Sequence, residues 1–186
     1  LVSMSPLHSA HEELLARVNN PATRDESYGA FYDAFSRRVY AYALRMTQCR
    51  DTASDITQET FIRVHAHLKR GNTIADPLPF CLMLARQRVA NVVRDKKEHL
   101  GVDESSLVVD PYQAIHAADL SVHIGNAVES LPVALREAFI LRYYDGLSYD
   151  TIASLLSDTS GAVRMRVVRA KAALRSALHH LVEADR

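Results

Sequence analysis

Hydrophobic positions recur every three or four residues through most of the chain. That is the spacing of amphipathic helices, and no segment alternates with period two for long enough to predict a strand. In "SPLHSAHEELLARV", Leu7, Ala10, Leu14 and Val18 share one side of a short helix over 6–18. "DESYGAFYDAFSRRVYAYALRM" spaces Phe31, Phe35, Val39, Tyr42 and Met46 for a longer one, and "DTASDITQETFIRVHAHLKR" gathers Ala53, Ile56, Thr60, Val64 and Leu68 on one face. Gly71, Pro77 and Pro79 then break the pattern in "GNTIADPLP". The helix predicted over 80–97 turns Leu82, Ala85, Val89 and Val92 inward. Helical spacing resumes at "HIGNAVESLPVALREAFILRYY", "SYDTIASLL" and the stretch 160–178. The pattern predicts an all-α protein of two small helical domains, roughly 24–98 and 123–182. An N-terminal extension, 1–23, precedes them, and a linker, 99–122, joins them.

Within the second domain, "LSYDTIASLLSDTSGAVRMRV" reads helix, short polar turn, helix. Ser148 is placed to cap the first helix, and Thr159 or Ser160 the second. Ile152, Ala153 and Leu156 supply the buried side of the first, and small Ala153 allows close approach. Advancing residues of 160–178 by about 100° each puts Val163, Val167, Ala170, Leu174 and Leu178 on one packing stripe. Arg164, Lys171 and Arg175 form a second stripe beside it, and Arg166 and Arg169 point elsewhere. The pattern is that of a helix-turn-helix, whose second helix enters the DNA major groove with its N-terminal residues toward the bases. Thr159, Ser160 and Ala162 lie at that end, and Arg164, Arg166, Arg169 and Lys171 are the candidate phosphate contacts. A solvated charged face is the competing reading of the same arginines.

Charge sharpens the picture. The chain balances 22 Lys and Arg against 22 Asp and Glu, for a formal net charge of +0. Yet 160–175 carries five bases and no acid, and 86–97 carries five bases against Asp95. Between them, 99–130 holds Asp103, Glu104, Asp110, Asp119 and Glu129 with no Lys or Arg, so the linker is acidic. Near neutrality is compatible with nucleic-acid binding when positive charge is gathered on particular surfaces. At 48% hydrophobic and 24% charged residues the composition is globular. No apolar run approaches the ~20 residues of a membrane span, the N-terminal stretch lacks the signature of a secretory signal, and two cysteines, Cys49 and Cys81, suit a reducing compartment. A cytoplasmic protein without membrane insertion is expected.

With these residues in view, the chain resembles a known family. "LPVALREAFILRYYDGLSYDTIASLL…SGAVRMRVVRAKAALRSAL" is similar to region 4 of bacterial RNA polymerase sigma factors, specifically the extracytoplasmic-function, group 4, type. "DTASDITQETFIRVHAHL" resembles region 2.2 of the same family, whose pattern runs D-A-x-D-[IL]-x-Q-[ED]-x-F. Two matches in the right order, with a linker between, are far more specific than either alone. The resemblance implies that Asp55, Gln58, Glu59 and Ile62 grip the coiled coil of the polymerase β′ subunit. The residues agree: they lie opposite the apolar face, with Ile62 an apolar side chain among polar ones. The resemblance also turns the helix 80–97 toward the promoter −10 element, presenting Gln87, Arg88, Asn91 and Arg94. Amides can read base edges, and Arg binds guanine or phosphate. The loop "RGNTIADPLP" corresponds to the family's specificity loop, which holds a base turned out of the non-template strand; Asn72, Thr73 and Asp76 are its candidates. Region 4 is implied to read the −35 element and to contact the β-flap. An anti-sigma factor is implied as regulator.

The chain departs from the family in places. Cys81-Leu82 stands where Trp-Leu is common, Gln87 and Asn91 where Asn and then Asp are frequent, and a turn glycine is replaced near Ser157. Enzyme signatures are missing: there is no Gly-rich phosphate loop and no G-x-S-x-G elbow. His65 with His67, and His179 with His180, point in different directions on a helix, and the cysteines lack C-x-x-C spacing. The expectation is a non-enzyme with no cofactor and no metal. A stand-alone helix-turn-helix regulator is the alternative function, and it would have no use for the region 2.2-like patch.

Overall fold

The computed structural model describes the backbone of residues 6–100 and 120–184. Eight helices and no strand occur among these described residues. The linker acids Asp103, Glu104, Asp110 and Asp119 lie outside the described residues, as do the side chains of Leu7 and Ala10. The chain divides into two units, with the boundary between Ala90 and Asn91. It falls earlier than the sequence reading placed it, inside a helix that runs on without a break.

The first unit contains α1 (Pro6–Asn19), α2 (Arg24–Thr47), α3 (Arg50–Lys69) and the first part of α4 (Pro77–Leu100). The apolar stripe of α2 packs as its spacing predicts, with Phe31, Phe35, Val39, Tyr42 and Met46 all buried. On α3 the face Ala53, Ile56, Thr60, Val64 and Leu68 is buried, widened by Thr57 and Phe61. Phe31 ties the layers together, stacking at 4.9 Å on Phe35 and meeting Phe61 edge-on at 6.3 Å. Pro77 opens α4, where a missing N–H costs nothing. Leu78, Cys81, Leu82, Ala85 and Val89 close the core from this helix, while Val92 is only half-buried. Burial pushes the Cys81 thiol up to about 12, so in place of an indole this position holds a small, unreactive packing group.

The N-terminal helix belongs to this core. Val18 is fully buried, and His11 packs its ring 5.6 Å from Phe35.

The second unit contains α5 (Leu120–Glu129), α6 (Val133–Tyr143), α7 (Tyr149–Leu156) and α8 (Ser160–Ala184). The helical run over 123–144 is split at Pro132, which sits before α6 in an extended conformation. Ala138, Ile140 and Leu141 of α6, Ile152, Ala153 and Leu156 of α7, and Val163, Val167, Ala170 and Leu174 of α8 form the core. Within it are three charged groups that helical periodicity did not single out: Arg136, Glu137 and Asp145, all buried.

The turn between α7 and α8 follows from local hydrogen bonding. Ser148 Oγ accepts the Thr151 N–H at 3.0 Å and caps α7. Ser157 ends α7 in the left-handed region, φ 53°, and the Asp158 N–H reaches back to the Ala153 carbonyl at 2.9 Å. The family's replaced turn glycine falls near this position. A Cβ there is strained, so Ser157→Gly should stabilise this unit by about 1 kcal/mol. Thermal or urea unfolding checks it, and the expected sign is a higher midpoint.

Candidate functional site

The helix-turn-helix presents α8 as a cationic rod. Thr159 caps it, its Oγ1 accepting the Ala162 N–H at 3.2 Å. Ser160 donates its hydroxyl to Asp150 Oδ1, so this candidate reading residue also stitches α8 to α7. Arg166 differs from the expectation of a free phosphate contact. Its guanidinium is half-buried and paired with Asp158, whose other carboxylate oxygen accepts the Thr159 N–H at 2.7 Å. The turn acid and the helix arginine thus lock the approach angle of α8.

Arg164 keeps an open position but leans on Tyr149, its guanidinium carbon 5.0 Å from the ring centre. Arg142 lies against the same ring at 4.7 Å. Lys171, Arg169 and Arg175 are exposed. Arg169 has no partner among the described residues, so it is the cleanest candidate phosphate contact. Met165 and Val168, 51% and 52% exposed, stand between these cations. They were legible as apolar residues off the packing stripe and add methyl groups to a surface otherwise read as purely charged.

In the first unit, Asp55, Gln58 and Ile62 are exposed on α3, Ile62 to 61%. Glu59 is different. It is half-buried and bridges two helices, with Arg88 Nε at 2.6 Å and Arg63 Nε at 3.3 Å from its carboxylate. A residue expected to face the polymerase and one expected to face DNA therefore hold each other. Gln87 is joined to the same network, accepting from Arg63 at 3.3 Å. Beside Ile62 opens a cavity of about 290 Å³ lined by Tyr28, Tyr32, Gln58, Phe61 and His65. Tyr28 donates its hydroxyl to the Phe61 carbonyl, and burial pushes its pKa up. The sequence reading missed this cavity; Tyr32, an aromatic off the α2 stripe, is the one signal that could have pointed to it.

Along α4, Asn91 is half-exposed and accepts from Arg94 at 3.1 Å. The loop before α4 exposes Asn72, Thr73 and Asp76 and buries Ile74. Gly71 takes φ 84°, a conformation that a side chain would resist. Asn72 Nδ2 donates to the His67 carbonyl at 3.2 Å, and His67 Nε2 lies 3.4 Å from the Thr73 carbonyl.

Residues 31–99 match the family model for Sigma-70 region 2, and residues 122–174 match that for Sigma-70, region 4. The chain is 30% identical over 168 residues to the RNA polymerase sigma factor CarQ of Myxococcus xanthus, covering 85% of this chain and 94% of that one. The chain belongs to the sigma-70 family, as an extracytoplasmic-function sigma factor. The ECF RNA polymerase sigma factor SigK of Mycolicibacterium vanbaalenii is 28% identical over 176 residues, 89% of either chain. The fold of this sigma factor is shared with RpoE of Bartonella quintana, solved in complex with the anti-sigma factor NepR, at a TM-score of 0.67 and 21% identity, covering 83% of this chain and 98% of that one. A stand-alone helix-turn-helix regulator is not favoured, because region 2 is matched as well as region 4. Among the described residues of this sigma factor, no helix is long and apolar enough to cross a membrane.

Proposed function

We propose that this sigma factor works as a two-handed promoter reader. Asp55, Gln58 and Ile62 dock on the β′ coiled coil of core polymerase, with the aromatic-lined cavity beside Ile62 extending the surface. Glu59 orients α3 against α4 through Arg88 rather than reaching outward. Gln87, Asn91 and Arg94 face the −10 region, and the loop carrying Asn72, Thr73 and Asp76 holds the unstacked base. In region 4, Ala162 with the capped end at Thr159 and Ser160 approaches the −35 duplex. Arg164, Arg169 and Lys171 take phosphates while Arg166 braces the turn. The factor acts in the cytoplasm as a non-enzymatic initiation subunit. An anti-sigma factor controls it, a reading supported by the complexes in which its structural neighbours were solved.

One observation carries this reading. An exposed isoleucine ringed by polar side chains sits in region 2, while the free cations gather on a capped helix of region 4. The two patches differ in chemistry, one apolar among polar groups and one cationic. The balanced net charge fits, because free binding to arbitrary DNA rises with the number of phosphates neutralised. Tight recognition then arises only when polymerase holds both units, through effective concentration. Run-off transcription with core polymerase and genomic templates tests the proposal: specific starts are expected, and their absence with inhibitor-free protein would refute it. Arg169→Ala should weaken duplex binding similarly across promoter sequences and lower the slope of log K against log salt by about 1. Binding titrations at several salt concentrations read this directly.

A further inference from the structure

Asn19, the last residue of α1, is bound to the loop between α3 and α4. Its Nδ2 donates to the Ile74 carbonyl at 2.9 Å, and the Ile74 N–H donates to its Oδ1 at 2.8 Å. The two bonds join residues 55 apart in sequence and use both polar groups of one peptide residue. Only an amide side chain of this length supplies a donor and an acceptor together in that arrangement; a carboxylate lacks the donor and an aliphatic chain lacks both.

The amide is itself held in place. Arg24, 7% exposed, donates from Nε to the Val18 carbonyl at 3.2 Å and from Nη2 to the Asn19 carbonyl at 3.3 Å. Thr23 Oγ1 donates to the Arg17 carbonyl at 2.7 Å. These groups occupy carbonyls that the end of a helix leaves without partners. Val18 plugs the core next to the amide.

On the loop, the clamp grips Ile74 and leaves Asn72, Thr73 and Asp76 facing out. The His67 contacts steady the loop from the α3 side, and the Gly71 N–H returns to the Leu68 carbonyl at 3.0 Å. A short loop fixed from two sides presents its polar groups without having to order them on binding. We propose that Asn19 is a positioning residue for promoter opening: through it, the N-terminal helix sets the conformation of the base-holding loop. This rests on the reading of that loop as the holder of the unstacked base.

The experiment uses the full-length protein with core polymerase. Run-off transcription is measured on promoters carrying each of the four bases at each −10 position. Asn19→Ala should cut the preference for the best over the worst base at the loop-held position by about tenfold, the size of one net hydrogen bond lost. Core-polymerase affinity and −35 duplex binding should stay near the parent values, while thermal unfolding falls by a few degrees because two tertiary hydrogen bonds are lost. A matching fall in core affinity, or an unchanged base preference, overturns the proposal. The double variant Asn72→Ala/Asp76→Ala separates the two layers. If it relaxes the same preference and Asn19→Ala does not, the positioning role is wrong and the loop reading stands. If it changes no preference, the loop reading itself fails. Amide hydrogen exchange in the unaltered protein gives a second measure: the Ile74 N–H should be protected, and exchange as fast as at Thr73 contradicts the clamp.

Discussion

Ile62→Asp should abolish binding to core polymerase, with affinity falling by a hundredfold or more, about 3 kcal/mol, as at an interface hot spot. The side chain is 61% exposed and makes little of the fold, so the variant should unfold at the parent temperature. What changes is the proposed docking face. The apolar contact is lost, and a carboxylate is added one helical turn from Gln58 on a patch that already holds Asp55. On docking, that new charge would have to leave water with no counter-ion of its own. DNA binding by region 4 should persist, since α8 lies in the other unit. Glu59→Ala makes an informative contrast. Its carboxylate is already spent on Arg88 and Arg63, so its removal should loosen α3 against α4 and lower thermal stability more than it lowers core affinity. Anisotropy titrations of labelled protein with core polymerase measure both. Core affinity retained by Ile62→Asp would remove the β′-docking role from this face.

The helices were legible because each buries a stripe with helical period. The sets at Phe31 to Met46, Ala53 to Leu68 and Val163 to Leu178 could be listed from spacing alone, and all are buried except Leu178, which is half-buried. The cap at Ser148 was equally local, since one side chain and an N–H three residues on decide it. What periodicity missed was carried by partners distant in sequence, or by charges on the buried side. Arg136 in "LREAF" has the composition of a surface position, yet it is 2% exposed. Glu59 and Arg88 looked like members of two different sites because their helices were read separately; the ion pair is tertiary.

The exposed positions of the candidate site were legible in outline for a related reason. Exposed candidate groups reveal themselves by breaking a pattern: Ile62 on a polar face and five bases without an acid on α8. Their commitments to other side chains do not show in a pattern. Arg166 and Arg169 are equivalent as letters, but Asp158 claims one and leaves the other free. Likewise the short N-terminal helix seemed an appendage in the sequence, while Asn19 binds it to the loop that precedes α4.

Arg136→Ala should cost the region 4 unit about 3–5 kcal/mol, the penalty for breaking a buried charge arrangement from one side. The guanidinium is 2% exposed, and burial pushes its pKa below the usual arginine range while the nearby Glu129 carboxylate pulls it back up. Glu137 and Asp145 are each 8% exposed in the same unit. Deleting the cation removes a long packed side chain and leaves the half-buried Glu129 carboxylate less compensated. A unit of this size has little reserve, since small domains are marginally stable. Most of region 4 should unfold near physiological temperature, and −35 duplex binding should vanish with it. Region 2 should keep its core, because the substitution lies in the other unit. Limited proteolysis should then degrade the chain beyond the linker while leaving a fragment ending near α4. Arg136→Met keeps the packing and loses only the charge, so it should fall between parent and Arg136→Ala, and adding Glu129→Gln should recover part of its deficit. Equal loss in both single variants, with no recovery in the double, would mean that Arg136 acts by shape alone and that its charge carries no stability.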